Sequence, residues 1–115
     1  MSTAFVIVAA ATIAVNILAA LADFARAKFV LANSAELGLP PSWVLPLGVL
    51  KLAGAAGLVL GLLGVEFIGI AAAVGLVLFF VGAVGIHVWK GVYHNIVYPG
   101  ACLVLAGATL VLSLN

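Results

Sequence analysis

Long apolar runs separated by short polar breaks set the pattern of this chain. The first runs from Ala4 to about Ala22, is interrupted by Asn16 and closes on DFARAK, Asp23 to Lys28. At about 1.5 Å per residue it matches a hydrocarbon core about 30 Å thick. Ala20 to Ala22 resembles a signal-peptide cleavage site, but no Lys or Arg precedes the run. It is also longer than the roughly 7–15 residues of a signal core, so it reads as a retained span. The segment FVLANSAELGLPPSW, Phe29 to Trp43, alternates loosely between apolar and polar residues. It either extends the first helix or lies along the interface as a short amphipathic helix, until Pro40 and Pro41 break it. A second span runs from Trp43 to Leu63, and Gly64 to Glu66 is a turn short enough to make the next span its antiparallel neighbour. The third covers Phe67 to Val88, WKGVYHN follows at Trp89 to Asn95, and the fourth covers Ile96 to Ser113 with Pro99-Gly100 near its start.

Spans of about 4–25, 43–63, 67–88 and 96–113 lack the alternating polar face of a barrel strand. The expectation is therefore an all-α integral membrane protein, a single domain over residues 1–115 folded as an antiparallel four-helix bundle. Composition agrees: 68% of residues are hydrophobic and 6% charged, against roughly 25% charged in soluble domains. A net charge of +1 offers no basic patch for nucleic acid. The single cysteine, Cys102, excludes an internal disulfide and a Cys-rich metal site. Arg26 and Lys28 fall in the first loop and Lys90 in the third, so the positive-inside rule places those loops in the cytoplasm and the termini outside.

Gly54, Gly57, Gly61 and Gly64 form a stripe on the second span, and Ala71, Gly75, Gly82 and Gly85 another on the third. The two stripes are expected to pack against each other, or to join copies of the chain into a homo-oligomer. Thr12, Asn16 and Asp23 share a face of the first helix and must meet protein or water rather than lipid. Lys51 lies about 12 Å beyond Trp43 at helical rise, with Asp23 the nearest carboxylate able to reach it and Glu36 left at the headgroups. His87 sits a turn inside the third span and His94 in the loop after it, and their spacing fits no zinc or di-iron motif. For His87 three readings stand: a hydrogen-bonded interior ring, a titrating or substrate-contacting group, or a haem ligand. His94 reads as a surface residue; Trp89 and Tyr98 are interface aromatics that also border the mouth of the polar end. As a candidate site, Asp23, Lys51 and His87 form the reactive set, while Asn16, Trp89, His94 and Tyr98 line it for a ligand.

LGLPPSWVLPLGVLKLAGAAGLVLGLLG, then FIGIAAAVGLVLFFVGAVGIHVWK, then YPG resemble the DoxX-like family of small four-helix bacterial membrane proteins. The resemblance covers about Asn33 to Leu105 and implies a polar residue, Lys or Glu, at the place of Lys51. Many members carry HLR where this chain has HVWK, His87 to Lys90, so the cation is displaced by one residue. The resemblance implies a place in the bacterial cytoplasmic membrane, with links to redox systems, quinone as a cofactor class, or assembly of a protein partner. Two functions follow as expectations. One is an accessory subunit supporting a redox or assembly partner. The other is a small acid–base enzyme, an isomerase, cyclase or epoxide-opening enzyme, acting on a lipophilic substrate.

Overall fold

A computed structural model describes residues 1–115, and every regular element in it is helical. In chain order these are α1 (Thr3–Phe24), α2 (Lys28–Glu36), α3 (Val44–Leu62), α4 (Glu66–Trp89) and α5 (Val97–Ser113), with one 3-10 turn, Pro41–Trp43, leading into α3. Three helices are long and apolar enough to cross a membrane: α1, α3 together with its leading turn, and α4. The 17 residues of α5 make it shorter, about 25 Å at helical rise.

Local chemistry sets the ends. The Ser2 hydroxyl accepts from Phe5 N at 3.1 Å and caps α1. Arg26, in the left-handed region at φ 52°, ends that helix and lets α2 start afresh, so the linker is a separate helix rather than an extension of α1. Pro46 and Pro99 each fall in the first turn of their helix, where the missing N–H leaves no intrahelical bond unmade. Gly64, at φ 110°, turns the chain from α3 into α4.

The long helices close a ring of contacts: α1 packs on α3 and α5, and α4 packs on the same two. Leu58, Ala73, Leu76, Phe80 and Ala106 form the buried apolar core. Around it the usual order of a soluble protein is inverted: Thr12, Asn16 and Thr109 are at most 1% exposed, whereas Leu18, Leu78 and Val104 are 66–70% exposed. A surface of this kind belongs in hydrocarbon, which solvates leucine and not amides.

The α3–α4 seam is the closest approach. A Cβ on Gly61 would lie 2.7 Å from the Gly69 Cα, one on Gly57 2.5 Å from the Ala72 Cβ, and one on Gly54 2.5 Å from the Leu76 side chain. Gly54, Gly57 and Gly61 thus pack as their stripe suggested, whereas Gly64 lies beyond the end of α3 and a Cβ there would meet nothing within 4 Å; the facing surface of α4 is Gly69, Ala72 and Leu76. A Cβ on Gly75, Gly82 or Gly85 would meet nothing within 4 Å, which corrects the expectation that the α4 stripe faces α3. The reason is steric: α3 contributes bare backbone, so α4 can offer Ala72 and Leu76 and need not be smooth itself.

Candidate functional site

Polar side chains in the interior are arranged by depth. Deepest are Thr12 on α1 and Thr109 on α5, whose hydroxyls lie 2.9 Å apart; each also reaches a carbonyl one turn back, Val8 and Leu105, at 2.8 Å. One turn along α1, Asn16 Nδ2 donates to Thr12 O at 2.9 Å, and its buried Oδ1 has no partner.

Next comes the ion pair. Lys51 Nζ donates to Asp23 Oδ2 at 2.9 Å, with side-chain exposures of 17% and 6%. Gly48, one turn before Lys51, makes this approach possible, since a Cβ there would sit 2.9 Å from the Asp23 Cβ. Phe79 of α4 presents its ring 5.7 Å from the ammonium. An ammonium carries three donors and Asp23 takes one, so two N–H groups are left without a protein acceptor.

His87 is 3% exposed on α4. Its Nδ1 lies 2.7 Å from Ala83 O, and because a carbonyl only accepts, Nδ1 carries the proton. In the neutral ring Nε2 is then a bare acceptor, buried and unpartnered. His87 makes no hydrogen bond to Asp23 or Lys51; the three share one end of the fold, and only two of them touch.

Over this end lies α2. Asn95 Nδ2 donates to Asn33 Oδ1 at 2.6 Å, and His94 Nε2 stands 2.6 Å from Glu36 Oε2, so the loop after α4 is fastened to α2 at two points. Ser34 and Leu37 turn inward as the buried side of this cap. Trp89 and Tyr98 are 77% and 74% exposed and face outward, on the rim rather than in the interior. The sequence left Glu36 at the headgroups, and nothing local marked Asn33, Asn95 or Phe79 as partners. Partners 58 and 62 residues apart leave no local signal, and a phenylalanine among apolar residues carries none. No three His, Cys, Asp or Glu side chains converge as a metal site requires.

The sequence profile of the DoxX-like family matches residues 7–109, nearly the whole chain, covering α1 from Ile7 onward and every polar residue of the candidate site. The chain belongs to the DoxX-like family. No curated protein and no solved structure gives a significant match. The membership agrees with apolar, lipid-suited helices and makes this a small membrane protein.

Proposed function

We propose that this DoxX-like protein is an accessory subunit of the bacterial cytoplasmic membrane. It is one domain of four spans, an antiparallel four-helix bundle with its capped end in the cytoplasm and its termini outside. In this reading the Lys51 site receives the polar head of a membrane-soluble ligand of the quinone class, in support of a redox or assembly partner. One observation carries it: an ammonium, with a single protein acceptor, on a helix long and apolar enough to cross a membrane. A carbonyl oxygen supplied by a lipophilic ligand would satisfy a second donor where water is scarce. The α3–α4 surface beside it, a groove of about 630 Å³ bordered by Leu50, Gly54, Gly75 and Phe79, is apolar and suits a hydrocarbon tail.

Native mass spectrometry of the protein extracted in mild detergent tests this. The expected result is a retained quinone or a companion polypeptide, with the quinone lost in Lys51→Met. A homo-oligomer that carries neither and turns over a substrate by itself overturns it.

A second reading rests on the bare Nε2 of His87. Here the protein is a small acid–base enzyme, an isomerase, cyclase or epoxide-opening enzyme. Asp23 is its acid or base, Lys51 tunes that group or polarises an oxygen, and His87 shuttles the proton. Undiminished turnover of a lipophilic substrate by folded Lys51→Met would remove this reading.

A further inference from the structure

Charge and aromatic residues are distributed unequally between the two ends of the molecule. Of the three carboxylate side chains, Asp23 and Glu36 stand at the capped end, and both are taken up internally, by Lys51 at 2.9 Å and by His94 at 2.6 Å. Arg26, Lys28 and Lys90 are exposed at that same end, and no carboxylate lies within 4.0 Å of any of them. The far end, beside the Gly61–Gly69 contact, carries one charged side chain, the exposed Glu66, and no Lys or Arg. Both tryptophans and both tyrosines, Trp43, Trp89, Tyr93 and Tyr98, are also at the capped end, each more than half exposed.

We infer that the capped end is a binding surface for the phosphates of anionic phospholipids, with Arg26 and Lys28 at one end of α2 and Lys90 at the other. Indole and phenol rings settle at the headgroup level of a bilayer, so this aromatic set fixes the depth at which the three cations act. One contact holds Lys90 there: its Nζ lies 4.5 Å from the centre of the Trp89 ring. It stands beside Gly38, two residues past the end of α2, 3.5 Å from the place a Cβ would take. The nine residues of α2, about 14 Å at helical rise, lie between the two cationic points, so the surface engages separate headgroups rather than one chelated phosphate. Holding the Asp23 and Glu36 carboxylates on Lys51 and on the His94 ring matters as well, because a carboxylate free to reach these cations would repel the same phosphate. The inference does not depend on what Lys51 binds.

The test uses the whole protein in mixed micelles containing equal amounts of phosphatidylglycerol and phosphatidylcholine, with retained lipids counted by native mass spectrometry. Wild-type protein retains phosphatidylglycerol preferentially, and high salt abolishes the preference. Each cation near an anionic surface is worth about fivefold in binding, so Arg26→Gln/Lys28→Gln/Lys90→Gln removes most of the preference. Glu66→Gln, at the opposite end, leaves it unchanged. Far-ultraviolet circular dichroism checks that the triple variant keeps its helices, and the salt response of the wild type tests the inference without any substitution. Equal retention of the two lipids by wild type, a preference indifferent to salt, or an unchanged preference in a helical triple variant overturns it.

Discussion

Two carboxylate contacts occupy the same end of this protein, and the shorter one is expected to hold the fold less. His94 and Glu36 meet at 2.6 Å with exposures of 64% and 42%; Lys51 and Asp23 meet at 2.9 Å with exposures of 17% and 6%. Water and salt screen the outer pair, so it joins α2 to the following loop with little net energy, as exposed pairs do. The inner pair gains less from being formed than it would lose from being halved: either partner alone is a charge stranded among apolar groups. Distance alone would have ranked them the wrong way round; burial decides.

Asp23→Ala leaves the Lys51 ammonium without its carboxylate and should destabilise the protein by about 3–5 kcal/mol, read from thermal unfolding in detergent. Replacing both partners, Asp23→Leu with Lys51→Met, should recover most of that loss, because no stranded charge remains. A double variant as unstable as Asp23→Ala would mean that packing around Gly48, not charge, dominates the site.

A neutral polar contact at greater depth sharpens the scale. Thr12→Val removes the hydroxyl 2.9 Å from Thr109 and should cost about 0.6 kcal/mol, within the range of hydrogen bonds between membrane helices, by the same unfolding measurement. The outer pair should give the least. Glu36→Gln is expected to shift stability by less than about 1 kcal/mol, and high salt should shrink the shift further. A cost for Glu36→Gln that equals that of Asp23→Ala would overturn the contrast.

Much of the fold was legible in the chain because a bilayer imposes length and polarity locally. The expected spans 4–25, 43–63 and 67–88 lie close to the long apolar helices Thr3–Phe24, Pro41–Leu62 and Glu66–Trp89. The polar face of α1 likewise pointed inward, and Asp23 was the carboxylate within reach of Lys51. The face of α4 that packs on α3 was not legible. Gly75, Gly82 and Gly85 look like a packing stripe, yet contact runs through Gly69, Ala72 and Leu76. Small residues permit close approach without requiring it, and the choice rests on the helix opposite.

The amino-acid sequence was enough for an all-helical, lipid-suited chain with a lysine placed where it needs a partner or a route to the headgroups, since each of these follows from transfer free energies that act residue by residue. Tertiary structure alone decided that α2 folds over that end. It also paired Glu36 with His94 and Asn33 with Asn95, left the Nε2 of His87 bare, and left Arg26, Lys28 and Lys90 without a carboxylate. The two pairings join partners 58 and 62 residues apart, and only the assembled helices bring such partners together.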